Sequence, residues 1–532
     1  MPTSTIKKEN TIKISFHLKY QTTYGQSIWI YGNHPLLGGG EVDKAIPLVY
    51  LNQTHWVLHL NFPRFFLTFS LLGALIPAYA LESIWYSDKD LKGENIQLIP
   101  QGYIDPSISD PCQIRAYNRP LSLIEVAEAA LCHNPNTREV YANAKMQSAQ
   151  VGVTRSLFFP SITDTVSISE NDRRSQTSNI NFMNKQNRIV ATYLLYDFGS
   201  RDANLENANQ LLLAASATQD AIVQRTLLNA VNAFYQVHAN KAVLKASIES
   251  ERLYEESFKA AEAKYLAGVA TPADKLQAQT SFASATLSRL KQEGSLRIAY
   301  GNLANVMGTS PGTPIEIIDN QSDVIPEFID QDIQALIDQA RLQRPDLLAT
   351  ESELKASLAK IESAKADAKP KVKIDASNQY DTDTIFGGNI NFSQIGVSVT
   401  IPFFEGYKPS YLIRSAEATA ELKASKRDQL RLQVSLDVWT AYQNLKTANE
   451  SITASRMLLT SAEESSRVAL GRYQEGVGNI IDTLNAQSAL ASAKQQKIQS
   501  ILNWNIARTT LAQSIGVLDN AMIQKLPEAK RN

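Results

Sequence analysis

The longest pattern in the chain is helical. Neither proline nor glycine occurs from Ser200 to Ala267 or from Ser410 to Leu470, and these two residue types are the usual interrupters of helices. At 1.5 Å per residue, a stretch of about 68 residues would extend roughly 100 Å as a helix. Very long helices that pack side by side are therefore predicted. In the first stretch, apolar residues alternate steps of four and three, the spacing of a coiled-coil seam: Val223, Leu227, Ala230, Phe234 and Val237.

Shorter segments alternate apolar and polar residues, as strands do. Alternation over about ten residues is the signature of a membrane barrel, with one face on lipid and one on water, although a half-buried soluble sheet gives the same pattern. Four strands are too few to close a barrel, since single-layer barrels begin near about eight strands. A barrel would therefore need several chains. The apolar residues of the predicted strands, two after Pro160 and two after Pro370, include Ile162, Val166, Ile168, Val372, Ile374, Ala376, Ile395, Val397, Val399 and Ile401.

Two halves of the chain repeat each other. Chance similarity between helical segments would not keep glycines, acids and aromatic residues in step, so the pattern predicts two structural repeats. Three motifs return at one offset of 208 residues: Lys264-Tyr265-x-x-Gly268-Val269 as Arg472-Tyr473-x-x-Gly476-Val477, Asp274-x-Leu276-x-Ala278-Gln279 as Asp482-x-Leu484-x-Ala486-Gln487, and Leu303-Ala304 to Gly308 as Leu511-Ala512 to Gly516.

The N-terminal part of the chain carries a different, β-rich pattern. Ile12 to Tyr20 alternates apolar and polar residues, and Trp56 to Leu60 indicates another strand. The segment from Ile14 to Asn33 resembles the opening of starch-binding carbohydrate modules, but the resemblance covers only about the first half of such a module. Gly39 and Gly40 stand where that family usually places a sugar-stacking tryptophan, which argues against carbohydrate binding. A truncated starch-binding-like segment is predicted.

A secretory pattern follows inside the chain. Arg64, the apolar run Phe65 to Leu75 and Ala78-Tyr79-Ala80 correspond to the n-region, h-region and cleavage site of a signal peptide. The run is too short for a transmembrane helix of about 20 residues, and a buried strand or core segment is the alternative. We expect the functional protein to begin at Leu81.

Composition and charge exclude several partners and chemistries. The net charge of −1 gives no footprint for nucleic acid. The six histidines and two cysteines are too scattered for a metal centre, and there is no P-loop or zinc motif, so we expect neither an enzyme nor a cofactor. Gly308 to Gly312 is spaced like a nucleophile elbow but follows a helical pattern instead of a strand, and a turn is predicted there. Cys112 and Cys132 can bridge in an oxidising periplasm or stay free.

The repeats carry a family resemblance. The segments Tyr196-Asp197-Phe198-Gly199 and Pro402-Phe403-Phe404-Glu405-Gly406, each at the return from strand to helix, look like TolC-family outer-membrane factors. The resemblance covers about Leu121 to Gly516. Within it, Leu121-Ser122-Leu123 and the segment from Ala130 to Pro135 are similar to the type I secretion branch.

This resemblance implies a fold and a function. The expected fold class is an α+β membrane protein, a homotrimer whose twelve-stranded β-barrel takes four strands from each chain and continues as a long α-helical coiled-coil tunnel. The barrel would contact outer-membrane lipid, and the tunnel would extend into the periplasm. The expected function is a passive exit duct for type I protein secretion or efflux, with a periplasmic adaptor protein and an inner-membrane transporter as partners. Alternatives are a drug or metal efflux factor and, from another class, a structural coiled-coil protein.

The resemblance also assigns residues at the periplasmic mouth of the tunnel. Asp482 corresponds to an acidic ring that favours cations, and Asn485 stands where some members have a second acid, which predicts weaker cation selectivity. Asp274 and Tyr473 match positions that hold the mouth closed, whereas Gly478 replaces a gating arginine. Helix capping is the competing interpretation of both acids, because Thr271 and Asn479 are N-cap residues three positions before Asp274 and Asp482.

Together these patterns predict the organisation of the whole chain. The predicted segments are a starch-binding-like segment at 1–61, a signal-peptide-like segment at 62–80, a periplasmic N-terminal segment at 81–120, a first repeat at 121–310, a linker at 311–328, a second repeat at 329–516 and a C-terminal tail at 517–532.

Overall fold

The protein forms two compact units, Met1–Lys89 and Asp90–Asn532. The computed structural model describes five strands within the first unit, and in the second unit the residues 96–100, 102–103, 112, 119–174, 179–318, 332–383 and 388–524.

The described part of the first unit is β-structure, as predicted. Strands β1 (Thr11–Lys19), β5 (His55–Pro63) and β4 (Val49–Asn52) form an antiparallel sheet in that order, and β2 (Trp29–Ile30) pairs with β3 (Ile46–Pro47). The signal-like pattern from Arg64 to Ala80 lies outside the described residues.

The second unit contains the same order of elements twice. Each repeat has two helices, a strand pair, a long helix and a returning helix, which confirms the predicted internal repeat. The first repeat consists of α1 (Leu123–His133), α2 (Pro135–Ser156), β6 (Ser161–Arg174), β7 (Asn179–Tyr196), α3 (Ser200–Leu266) and α4 (Pro272–Val306). The second consists of α5 (Ile333–Gln343), α6 (Pro345–Asp367), β8 (Lys371–Asp383), β9 (Asn389–Thr400), α7 (Lys408–Gln474) and α8 (Ile480–Ile515), followed by α9 (Asn520–Gln524).

The two long helices have the same length. Both α3 and α7 contain 67 residues, so each extends roughly 100 Å. Helix α7 is longer than predicted at both ends. Pro409 lies in its first turn, where no backbone N–H is needed, and Gly471 lies in its last turns, where one glycine costs only about 1 kcal/mol.

The predicted coiled-coil seam is the centre of the core. Its five members from Val223 to Val237 are fully buried and pack with residues of α1, α4 and α8, among them Leu131, Leu303 and Leu502. The apolar spacing of α3 therefore holds the helices of both repeats together.

Glycine ends the returning helix of each repeat for the same steric reason. A Cβ on Gly308 would lie 2.4 Å from the carbonyl oxygen of His133, and one on Gly516 would lie 3.0 Å from that of Gln343. Both glycines also have positive φ, which other residues rarely adopt. The elbow-like segment from Gly308 is thus a turn after a helix, as predicted.

One covalent bond fastens the segment before α1. The sulfurs of Cys112 and Cys132 are bonded, with their Cα atoms 5.2 Å apart, so Cys112 is tied to the C-terminal end of α1.

The strands form one antiparallel sheet in the order β6-β7-β8-β9. One face carries apolar side chains, and six of them on the outer strands are 58 to 76 % exposed: Ile162, Val166, Ile168, Ile395, Val397 and Val399. The other face carries polar contacts, since Asp375 accepts hydrogen bonds from Thr192 at 2.9 Å and Ser398 at 3.1 Å. Among the described helices, none is long and apolar enough to cross a membrane.

Truncating the seam should destabilise the second unit. Phe234→Ala removes a fully buried ring and should lower the free energy of unfolding by about 3–5 kcal/mol. Guanidinium denaturation of the detergent-purified protein, followed by helical circular dichroism, measures the change. Leu213→Ala on the same helix, at an exposed position, is the control and should cost less than about 1 kcal/mol. Equal losses for the two variants would contradict the assignment of the seam as the core.

Candidate functional site

The predicted mouth residues lie at two equivalent tips. Helices α3 and α4 form a first helical hairpin and α7 and α8 a second, and we call the turn regions 264–275 and 472–482 the first and second tips. The turns are alike: Gly268 and Gly476 have φ of 77° and 79°, and the N–H groups of Val269 and Val477 each donate to the carbonyl five residues back at 3.0 Å. The shared motif therefore encodes one turn geometry, used twice.

Asp274 caps its own helix. Its carboxylate accepts hydrogen bonds from the backbone N–H of Thr271 at 3.0 Å and the hydroxyl of Thr271 at 2.8 Å, and its own N–H donates to that hydroxyl at 3.2 Å. This reciprocal arrangement is a capping box. The carboxylate of Asp274 is thus occupied within the first tip.

Asp482 occupies the equivalent position but differs in its contacts. Its backbone N–H donates to the side chain of Asn479 at 2.7 Å, so Asn479 caps α8. The Asp482 side chain is exposed, and among the described residues its carboxylate has neither a hydrogen bond nor an ion pair. Asn485, one turn further, is exposed as well. Of the two repeat-related acids, Asp482 alone presents an uncommitted charge to solvent.

Tyr473 joins the two hairpins. Its side chain is 5 % exposed and packs with Ala261 of α3, Ala278 of α4 and residues Ile480 and Leu484 of α8. Its buried hydroxyl has no hydrogen-bond partner. Burial and, to a lesser extent, the negative charge of Asp274 raise the pKa of Tyr473 above its ordinary value, so the hydroxyl is neutral at physiological pH.

Gly478 cannot carry a side chain without a shift of the second tip. A Cβ there would lie 3.0 Å from the backbone nitrogen of Tyr473 and 3.1 Å from two carbons of Arg472. The close approach of chain segments in this turn therefore favours glycine at position 478.

Several side chains form cross-hairpin contacts, that is, contacts between the first and the second helical hairpin, and they were not predicted as site residues. The ammonium of Lys264 lies 4.1 Å from the ring centre of Tyr473 and donates to its backbone carbonyl. Further from the tips, the amide of Gln487 donates to the Ser257 hydroxyl at 2.8 Å, and Lys494 pairs with Glu249 at 2.7 Å. Lys264 belongs to the repeated turn motif, but nothing in that motif indicates a partner in the other repeat.

Comparison with known proteins gives consistent matches. The family described as outer membrane efflux protein matches residues 126–309 and 336–517, and the starch binding domain family matches residues 11–69. Protein CyaE of Bordetella pertussis is 28 % identical over 432 residues, which are 80 % of this chain and 91 % of that protein. The probable efflux pump outer membrane protein TtgC of Pseudomonas putida is 24 % identical over 414 residues, 74 % of this chain and 83 % of that protein.

Solved structures share the fold. The outer-membrane channel OprN superposes with a TM-score of 0.67 at 19 % identity, over 79 % of this chain and 98 % of that chain. The match confirms the predicted fold class, a barrel of strands continued by a long helical tunnel.

Removing the exposed acid should change ion selectivity. Asp482→Asn deletes the uncommitted charge at the second tip, so the preference for potassium over chloride should fall. The melting temperature should change little, because Asn479 and not Asp482 caps α8. Reversal potentials in planar bilayers under a potassium chloride gradient measure the preference.

The repeat supplies the matched control for this prediction. Asp274→Asn removes the same charge at the equivalent position, but its carboxylate belongs to a cap, so it should lower the melting temperature and affect selectivity less. Equal selectivity losses for both variants, or none for Asp482→Asn, would refute a special role of Asp482.

Proposed function

The chain belongs to the outer membrane efflux protein family, and on that premise we propose that it is the outer-membrane duct of a type I protein secretion system. Membership makes it an outer-membrane channel for secretion or efflux that extends into the periplasm. The assignment to secretion, as opposed to drug or metal efflux, is the more specific part of the proposal.

The segments 121–123 and 130–135 support the assignment to secretion. They resemble the type I secretion branch, and their side chains hold the start of the first repeat. The Ser122 hydroxyl and Glu125 form the capping box that begins α1, and Asn134 donates to the carbonyl of Val306 at 3.0 Å. The lower identity to TtgC, which is named as a probable efflux pump protein, than to CyaE favours the same choice.

The duct would be passive, with energy supplied by partners. No nucleotide-binding motif is present in the sequence, so an inner-membrane transporter would drive export and a periplasmic adaptor would connect the two proteins. The tips suit such docking, because Leu266, Val269 and Val477 are 69 to 76 % exposed at the turns. Apolar side chains clustered at a projecting turn favour a protein partner.

The sheet supports assembly into a homotrimer. Its outer strands β6 and β9 each pair on one side within the described sheet, and open edges of this kind are avoided in membranes because their N–H and C=O groups need partners. Three copies would supply twelve strands, enough to close a barrel, whereas a single chain would not.

The repeat identifies the helical faces that would meet between subunits. Helix α6 packs on α3 through one stripe: Asn207 donates to the carbonyl of Ala356 at 2.7 Å, Ser363 donates to Asn204 at 2.9 Å, and Ser200 donates to Asp367 at 2.8 Å. Because α2 and α6 are repeat equivalents that begin at Pro135 and Pro345, the corresponding stripe on α2 consists of Met146, Val153 and Leu157, the residue that directly follows the helix.

This α2 stripe is apolar and uncovered within one chain. Met146, Val153 and Leu157 are 53 to 58 % exposed. The repeat equivalent of α3 is α7, which presents large exposed side chains such as Leu412 and Leu422. The α2 stripe of one subunit would therefore pack on α7 of the next, as α6 packs on α3 inside the chain.

A charge on the α2 stripe should prevent trimer formation. Val153→Glu would place a carboxylate in the proposed apolar interface, where desolvation is costly. Size-exclusion chromatography with light scattering in detergent should show loss of the trimer. Lys145→Glu is the control: it adds a carboxylate to the same helix, about a quarter turn around the helix axis from the α2 stripe. This variant should remain a trimer. A trimeric Val153→Glu protein would rule out this interface.

Deletion of the gene for this chain should show whether the protein serves secretion or efflux. If the gene for this chain is deleted from the cell that produces it, specific polypeptides should disappear from the medium, because their exit duct is missing. The inhibitory concentrations of drugs and metal salts should not change, and the native gene should restore secretion. Unchanged secreted polypeptides with greater sensitivity to drugs or metals would overturn the proposal in favour of efflux.

A further inference from the structure

Among the described residues, the contact between Lys264 and Tyr473 is the polar side-chain contact between the two hairpins that lies closest to the turns. Lys264 lies in the last turn of α3 and Tyr473 in the last turn of α7. Other polar contacts between the hairpins lie further from the first tip: those at Ser257 and Glu249, for example, are 7 and 15 residues away, or about 10 and 22 Å along the helix. A contact at the ends of two long helices controls the separation of the tips most directly.

Lys264 binds Tyr473 in two ways. Its ammonium lies 4.1 Å from the ring centre, well within the range of a cation–π interaction, and it also donates to the backbone carbonyl of the same residue. That carbonyl belongs to the C-terminal end of α7, where the helix dipole favours a cation. Ring, carbonyl and helix end thus converge on one ammonium group.

Other groups in the tips do not provide a polar link to Tyr473. The carboxylate of Asp274 is occupied by Thr271, position 478 has no side chain, and the Tyr473 hydroxyl has no hydrogen-bond partner. Among the described residues, Lys264 forms the polar side-chain contact that ties Tyr473 to the first hairpin.

We propose that Lys264 is the latch of this channel, a positioning residue that holds the second tip against the first and keeps the mouth of the proposed trimeric tunnel narrow. The proposal rests on the proposed function as a duct. Release of the ammonium would leave the second hairpin held near its tip by apolar contacts alone, those of Tyr473, Ile480 and Leu484, and the tips would separate more readily.

Single-channel conductance of the full-length protein in planar bilayers tests the latch. Lys264→Met keeps a long apolar stem but has no donor or charge, and its conductance should be several-fold higher than that of the native protein. Lys264→Arg keeps both interactions with Tyr473, since guanidinium groups also bind aromatic rings, and should conduct like the native protein. This rescue separates a latch from a merely structural role.

The chain offers a matched control for the loss of charge. Lys259 lies on the same helix and pairs with Glu255 of that helix at 2.6 Å, so Lys259→Met removes an ammonium without removing a cross-hairpin contact. Its conductance should equal that of the native protein. A second release variant, Lys264→Gln, keeps a polar group without the charge and should also conduct more, which keeps the test decisive if the methionine variant does not assemble.

The outcomes distinguish the latch from the duct. Unchanged conductance of assembled Lys264→Met or Lys264→Gln protein would overturn the latch while leaving the channel function intact. An equal rise in Lys259→Met, or a rise in Lys264→Arg, would overturn it as well. If the native protein itself formed no conducting channel, the proposed function would fail, independently of Lys264.

Discussion

Burial of one apolar seam along α3 is the interaction on which the rest of the structure depends. A helix of about 100 Å cannot be stabilised by its own hydrogen bonds alone, since helices in proteins gain most of their stability from packing an apolar face. From Val223 to Val237 that face is completely buried and contacts helices of both repeats. The seam therefore fixes where the hairpins emerge from the core and how far their tips extend from it.

The internal repeat builds a symmetric scaffold with unequal ends. Both tips use the same glycine turn. In both, the returning helix begins with an N-cap residue and has an acid in its first turn. The capping residue decides the difference: Thr271 is capped reciprocally by Asp274, whereas Asn479 caps α8 and leaves Asp482 free. The N-cap residue is threonine at the first tip and asparagine at the second, and only at the second tip is the acid available for ions.

The opposite end of the second unit follows from a different constraint. The sheet β6 to β9 has one apolar face and one face with polar contacts, which suits a wall between lipid and water. Its outer strands have unpaired edges within the described sheet, and the α2 stripe is uncovered. A neighbouring copy of the chain would pair with the strands and cover the stripe. The same assembly would satisfy them together, because the strands and the helices of one repeat follow each other along the chain.

The sequence by itself determined the long helices and their approximate lengths, the repeat and the two faces of the sheet. These features depend on local spacing and on the absence of proline and glycine over stretches such as Ser200 to Ala267. It also located both tips. It left open which acid was a cap, since Asp274 and Asp482 have the same spacing from their N-cap residues. The hydrogen bonds of the folded chain decided that, and the tertiary structure alone brought Lys264 to Tyr473, 209 residues away. Contacts at that separation depend on how two 67-residue helices pack, and no local pattern encodes their relative position.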